Sequence, residues 1–264
     1  MPVAAMVRYV NAEWRGRAES PRIGSKESRR ENTAYQSVNV HDVRPELARG
    51  EVGLDSAGFT LTTSRTACTN FHDEKLVKDV YLPEMCELIK QITGADAAYT
   101  YGHLVRTETP KDFNDGYARF VHCDYNVRRI VEMSHDVLRK HGAEPTDGKV
   151  YAWFNTWQPF DNPAVNNPLA FIDARSLPQE DLIDYYYTGR NRDSLVAAPV
   201  HNPDHRWCYF PEMSTEEVIV LKQMDQRPGR VIYCPHTSFD NPDAGKDAPP
   251  RRSIETRVVA VFEG

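Results

Sequence analysis

Three side chains in this chain of 264 residues have the types and setting to hold a divalent metal. The run Arg119-Phe120-Val121-His122-Cys123-Asp124 reads as a strand ending in His-x-Asp. Residues two apart on a strand point to the same side, so an imidazole and a carboxylate converge there. Far downstream, a second strand-like run, Arg230-Val231-Ile232-Tyr233-Cys234-Pro235-His236, ends in another histidine. Together the three are the donor set of a 2-His-1-carboxylate facial triad for non-haem Fe(II). Neither piece says much alone: His-x-Asp occurs on surfaces, and a histidine in an apolar strand is more often only hydrogen-bonded. Their order and strand setting join them.

After His236 a loop rich in Asp, Pro and Gly leads to Arg251-Arg252-Ser253-Ile254-Glu255-Thr256-Arg257. On a strand, Arg251, Ser253, Glu255 and Arg257 share one face. A guanidinium grips a carboxylate bidentately and a serine hydroxyl adds a hydrogen bond, so this face suits an acidic cosubstrate. The competing reading is a solvated face with an ordinary Glu-Arg pair. Asn155 and Trp157 share a strand face with Trp153; an inward Asn155 amide would bond cosubstrate or substrate, or would be a satisfied amide in a packed strand. Arg106, on the strand face opposite His103, and Trp157 are candidates for the substrate pocket. Trp207 and Tyr209 are candidates for its mouth, with core packing as the alternative. Cys234 shares a face with His236 and is expected to border the metal, where a thiol is open to oxidation. The other histidines show no comparable convergence.

These residues need a scaffold of strands. Short strands are expected at 7–14, 35–43 and 58–61, with an exposed loop over the charged segment 15–31. From Asp73, a plausible N-cap, Leu76, Val80, Leu88 and Ile92 recur at helical spacing up to Gly94, with Pro83 as a break or kink. Strands follow at 97–107 and at the His-x-Asp run, then a helix through Ile130, Met133, Val137 and Leu138 to Gly142. Further strands are read at 150–157, 169–173, 195–200, 205–210, 218–221, 230–236 and 253–262. Pro178 suggests a short helix continuing through Asp181, Leu182 and Tyr185. About ten strands with few helices predict a mainly β fold with flanking helices, and a double-stranded β-helix (jelly-roll) barrel fits the count. No linker or repeat divides the chain, so 1–264 reads as a single domain with a less certain N-terminal extension at 1–40.

Composition agrees and excludes alternatives. The 18 Pro, 14 Gly and 13 Tyr favour sheet and loop over a helical bundle. A net charge of −6 argues against nucleic acid or an anionic membrane surface as partner. No apolar run reaches the length of a membrane span, and the start lacks the basic flank of a signal peptide, so a cytoplasmic location is the expectation. Five cysteines without a C-x-x-C pair indicate neither a disulfide framework nor a zinc ribbon. Oligomeric state is not legible.

Longer motifs carry a resemblance. Asn155-Thr156-Trp157-Gln158-Pro159, Asn167-Pro168-Leu169-Ala170 with Asp173 and Ser176, His205-Arg206-Trp207 with Tyr209, Pro235-His236-Thr237-Ser238-Phe239, and Pro250-Arg251 with Ser253, Ile254, Glu255 and Arg257 occur in consistent order from about residue 40 to the C-terminus, a span on the scale of a domain. In these the chain resembles the gibberellin-desaturase-like family of hydroxylases and desaturases, which includes the cephamycin methoxylation component. It departs from that pattern at Gln158, Gln226 and Arg252, none of them a metal ligand.

The resemblance implies an Fe(II)- and 2-oxoglutarate-dependent oxygenase of hydroxylase or desaturase type on a double-stranded β-helix. His122, Asp124 and His236 match the metal ligands. Arg251 and Ser253 look like the pair that holds the distal 2-oxoglutarate carboxylate, with Arg257 as the competing arginine. Three protein ligands would leave room for 2-oxoglutarate and O2, and the substrate would be a small natural-product intermediate attacked at an unactivated carbon. Two alternatives stay open: an iron-dependent oxidase using no 2-oxoglutarate, and a non-oxidative, cupin-like metal-binding protein.

Overall fold

The computed structural model of the chain describes residues 1–110, 116–189 and 193–264. In chain order its strands and helices are β1 (Val3–Val10), β2 (Arg22–Ile23), α1 (Lys26–Asn32), β3 (Thr33–Asp42), α2 (Arg44–Ala48), β4 (Phe59–Thr63), α3 (Glu74–Leu76), α4 (Leu82–Thr93), β5 (Ala97–Arg106), α5 (Ile130–Lys140), β6 (Lys149–Pro159), β7 (Leu169–Ile172), β8 (Leu182–Tyr187), β9 (Ser194–Pro199), β10 (Trp207–Tyr209), β11 (Glu217–Asp225), β12 (His236–Ser238) and β13 (Ser253–Glu263).

One sheet runs β4-β11-β6-β13-β5 and a second β1-β3-β10-β7-β12, with β2-β8-β9 as a smaller third. Single bridges stitch the last two together: His122 to His236, Cys123 to Ala197, and Val10 to Val200. The result is a nearly closed, mainly β barrel, the double-stranded β-helix. Its central strands are buried on both faces, so alternation sorts their side chains between two apolar clusters. Ala152 and Phe154 of β6 and Ile254, Val258 and Ala260 of β13 pack with Met85 and Ile89 of α4. Trp157, Ile219 and Leu221 instead join Phe59 and Phe171 between the sheets. α5 closes one end through Ile130, Met133 and Val137 against Trp153 and Val259, and Ser134 Oγ accepts from Trp153 Nε1 at 2.9 Å.

Local signals explain the helices. Asp73 caps α3 by accepting from the backbone N–H of Lys75 and Leu76, and Gly94 ends α4 at φ +71°, a left-handed conformation glycine adopts without strain. Pro83 does not break this helix. It follows directly on a π turn at Val77–Tyr81 in a continuous helical run, a local irregularity that accommodates its ring and missing N–H.

Several expectations need correction. The segment 15–31 is not simply a loop: it carries β2 and α1, the latter capped by Ser25 and Ser28 and burying none of its residues, so it has no apolar periodicity to read. The helix expected after Pro178 is a 3₁₀ turn at Gln179–Asp181 followed by strand β8, which pairs with β9 and β2. The runs before His122 and His236 are extended but largely outside the ladders, and β12 only begins at His236. The N-terminal region contributes β1 and β3 to the second sheet: β3 pairs with both β1 and β10, and Tyr9 Oη accepts from Trp207 Nε1 at 2.9 Å. Among the described residues, no helix is long and apolar enough to cross a membrane.

Candidate active site

His122 and His236 face each other across a two-way backbone bridge, His122 N to His236 O at 3.2 Å and His236 N to His122 O at 3.0 Å. This sets their rings 4.7 Å apart, centroid to centroid. Asp124 lies two residues on, with Oδ1 3.5 Å from His122 Nε2. One donor atom from each of the three falls within 4.8 Å of the others. The chain reaching His236 passes close over Gly58, which has φ +89° and where a Cβ would stand 3.0 Å from that of Cys234, so a larger residue there would push this segment away.

The donor set fits a divalent metal. Nδ1 of His122 lies 2.7 Å from the Phe120 carbonyl and Nδ1 of His236 lies 3.3 Å from the Cys234 carbonyl. A carbonyl only accepts, so both Nδ1 atoms carry the proton and both Nε2 atoms present a lone pair. Burial, with His122 beside it, holds His236 below its ordinary pKa, in the neutral form that ligates. Burial pushes the Asp124 carboxyl up, but the charge of Arg257 outweighs it and holds Asp124 well below the usual range. Its second oxygen, Oδ2, accepts from Asn155 Nδ2 at 2.5 Å, and its backbone N–H donates to Gln223 Oε1 at 3.2 Å.

The two arginines meet different partners. Arg257 donates from Nη2 to Asp124 Oδ1 at 3.2 Å and from Nε to Glu255 Oε1 at 2.9 Å. Arg251 is buried and has no carboxylate partner among the described residues. It makes one hydrogen bond, Nη1 to Asn167 O at 2.7 Å, and lies 4.0 Å over the Tyr117 ring and 5.5 Å from that of Trp157. Its Nε and the Ser253 Oγ are both buried without a hydrogen-bond partner among the described residues. Burial, reinforced by nearby Arg106, pushes its pKa down to about 9, which leaves it a cation at neutral pH. A buried cation and a nearby-in-sequence hydroxyl that both lack an acidic partner among the described residues have the chemistry to receive a carboxylate.

A cavity of about 380 Å³, the size of a small-molecule site, opens onto His122, Asp124 and Arg257. Phe120, Tyr125 and Tyr185 are in its wall, as is Tyr101, the extra residue on β5 where its register with β13 shifts, a bulge that re-aims the side chain. Arg106 also lines it, level with Ser253 on the neighbouring strand. Ile23 and Arg29 from the N-terminal region line it too; sequence reading passed over both, since neither sits in a periodic pattern.

Other candidates lie elsewhere. Trp157 is packed beneath Arg251 and between the sheets. Trp207 and Tyr209 belong to a separate apolar cluster with Tyr9 and Phe239 and do not line the cavity. Cys234 does not border the cavity either. It sits among Phe59, Phe171 and Cys208, burial raises its thiol pKa well above the ordinary value, and its Sγ–H points at the Ile172 carbonyl, 3.6 Å away. Gln158 holds the fold, accepting from Tyr81 Oη at 2.9 Å and donating to Thr215 O at 2.7 Å.

Comparison with known proteins agrees with this chemistry. A family profile described as "Oxidoreductase/YMDC permease-like domain" matches residues 8–262. The hydroxylase/desaturase efuI of Hormonema carpetanum is 33% identical over 269 residues, covering 92% of this chain and 89% of that protein. The alpha-ketoglutarate-dependent dioxygenase phiK, from a fungal species, is 32% identical over 248 residues, covering 88% and 86%. A solved structure of a variant of the iron and alpha-ketoglutarate-dependent endoperoxidase NvfI superposes with a TM-score of 0.82 at 25% identity, covering 99% of this chain and 97% of the other. Alpha-ketoglutarate is 2-oxoglutarate. The chain belongs to the family of Fe(II)/2-oxoglutarate-dependent hydroxylases and desaturases, oxygenases built on the double-stranded β-helix.

Proposed function

We propose that the protein hydroxylates or desaturates a small natural-product intermediate at an unactivated carbon, using the whole span 1–264 as one catalytic domain. His122, Asp124 and His236 would hold Fe(II) through both histidine Nε2 atoms and Asp124 Oδ1. Arg251 and Ser253 would take the distal carboxylate of 2-oxoglutarate. Fe(II) with 2-oxoglutarate and O2 supplies an oxidant able to remove hydrogen from such a carbon, with succinate and carbon dioxide as coproducts. The chain's own residues supply placement and exclusion of water. Phe120, Tyr125 and Tyr185 offer an aromatic wall against which the substrate rests, and Arg106 a polar contact. That wall supports a largely unsaturated or polycyclic substrate, in keeping with relatives named for fungal hydroxylase, desaturase and dioxygenase chemistry.

The observation that carries the reading is the buried Arg251 with no carboxylate partner among the described residues, two residues before a Ser253 hydroxyl that has no partner among them either. A cosubstrate-independent oxidase or a non-oxidative metal-binding jelly roll has no use for such a receptor, and folding alone opposes it, because an unpaired buried cation is costly. The test is anaerobic: Fe(II) and then 2-oxoglutarate are added to the metal-free protein while the visible charge-transfer band of the chelate is followed. The band is expected in the wild type and absent in His236→Ala. Iron binding without a band would refute the 2-oxoglutarate assignment.

A further inference from the structure

We propose that Arg257 is a tethered counter-ion for Asp124: it holds the carboxylate in the metal-free site and retires onto Glu255 when a divalent cation arrives. The inference rests on the assignment of His122, Asp124 and His236 as the metal site. Arg257 bonds Asp124 through Oδ1 at 3.2 Å, and Oδ1 is the oxygen 3.5 Å from His122 Nε2, on the side where the three donors converge. Asn155 holds the other oxygen, Oδ2. Orientation of the carboxylate is thus already provided from the far side. What Arg257 adds is positive charge on the oxygen a metal would occupy.

The sheet fixes this arrangement. Asn155 and Arg257 are direct cross-strand partners in the β6–β13 ladder, so both reach Asp124 from adjacent places on one face. Glu255 is two residues before Arg257 on the same face and accepts from its Nε at 2.9 Å. One guanidinium therefore serves two carboxylates, with side chains only 8% and 10% exposed. Without a metal, Asp124 would otherwise be a buried charge facing only neutral groups, which is costly. With a metal, a fixed guanidinium a few ångströms from a divalent cation would repel it. Glu255 already holds Arg257 through Nε, so Nη2 can leave Asp124 by a small movement while the guanidinium keeps a carboxylate partner.

The opposite signs make this testable without turnover. Full-length protein stripped of metal is titrated with Co(II) at fixed pH by calorimetry, and the visible Co(II) spectrum reports coordination. Arg257→Met is expected to tighten Co(II) binding by about tenfold, since a competing cation is gone. Glu255→Gln is expected to loosen it by about tenfold, since Arg257 then keeps Asp124 as its one carboxylate partner and its charge is no longer offset by Glu255. Arg257→Lys, which keeps the charge, is expected within about threefold of wild type with the same spectrum. If Arg257 merely propped up Asp124, Arg257→Met would loosen binding and alter the spectrum; that result, or no change in either variant, overturns the inference. Should Arg257→Met fail to fold, Glu255→Gln alone decides, because unchanged affinity there removes the role of Glu255. Wild-type protein that takes up no Co(II), or Asp124→Asn that binds it as well as wild type, overturns the metal-site assignment and the inference with it.

Discussion

Replacing Arg251 by methionine separates a cosubstrate receptor from a structural cation, because the two roles have opposite consequences for stability. Within the protein, among the described residues, Arg251 makes one hydrogen bond and two ring contacts, together about 2–4 kcal/mol. Against this stands the cost of burying a guanidinium with no carboxylate, several kcal/mol. A methionine of similar length keeps the packing and removes the penalty. Arg251→Met is therefore expected to melt no lower than wild type and up to about 3 °C higher, about 1 kcal/mol for a chain of this size. Loss of two charge-assisted bonds to a carboxylate removes about 3 kcal/mol or more of binding, so the 2-oxoglutarate concentration for half-maximal succinate release should rise by roughly 100-fold or more. Thermal shift on addition of 2-oxoglutarate, in the presence of a redox-inert divalent metal, should vanish in the variant. A variant that melts several degrees lower while keeping its 2-oxoglutarate requirement would refute the reasoning and make Arg251 a structural residue.

Three further outcomes are expected. His122→Ala and Asp124→Ala should abolish Fe(II) binding in calorimetry and stop turnover while melting cooperatively; full activity in either would remove the site assignment. Tyr9→Phe should leave Trp207 Nε1 and His205 Nδ1 without their partner at 2.9 and 3.0 Å, costing about 2–4 kcal/mol. Its melting point should fall by roughly 5–10 °C with turnover per folded molecule unchanged; an unaltered melting curve would show that the N-terminal strand is only loosely attached. His205 accepts from Tyr9 through Nδ1 and donates from Nε2 to Asp181 at 3.1 Å, which needs the neutral ring, and burial, opposed by Asp181, holds its pKa below the ordinary value. Its contribution is thus present above about pH 6.5, the unfolded value, and is lost as pH falls through the lower folded value. Chemical denaturation from pH 7.5 to 5 should show this loss in wild type, and a smaller one in His205→Gln; equal slopes would refute it.

The chemistry was more legible than the scaffold, for a physical reason. His-x-Asp and the Ser253-Glu255-Arg257 alternation are period-two patterns, and any extended backbone brings such residues to one side. His122 in fact lies outside a regular strand, held by one bridge to His236, and the spacing argument survives because it needs extension and not a ladder. What alternation cannot supply is partner choice. Arg251 and Arg257 are equivalent on paper; only the fold puts one against Asp124 and leaves the other facing Tyr117. Cys234 shows the same limit, since it lies two residues before His236 yet turns into the apolar space beside Phe59. β8 was missed because Leu182–Tyr187 becomes a strand through pairing with β2 and β9, contacts invisible locally, while Pro178 gave a local helix signal. α1 was missed because it buries nothing, so it carries no apolar stripe.

The register of β13 links these threads. Ile254, Val258 and Ala260 lie with α4, while Ser253, Glu255 and Arg257 stand opposite Pro159, Trp157 and Asn155 of β6. A slip of one residue would bring Ile254 and Thr256 to the inner face and drive two charged side chains into the α4 cluster, at a cost of several kcal/mol for each buried charge. The strand is held in register along its whole length by β6 and by β5, whose bulge at Tyr101 lets the ladder continue past Arg257. The alternation that makes the strand stable is therefore the same one that sets the buried Ser253 hydroxyl at one end and the partner of Asp124 four residues further on. No separate constraint is needed to place them, and a core substitution at Ile254 or Val258 that loosens the packing would reach the metal site through this register.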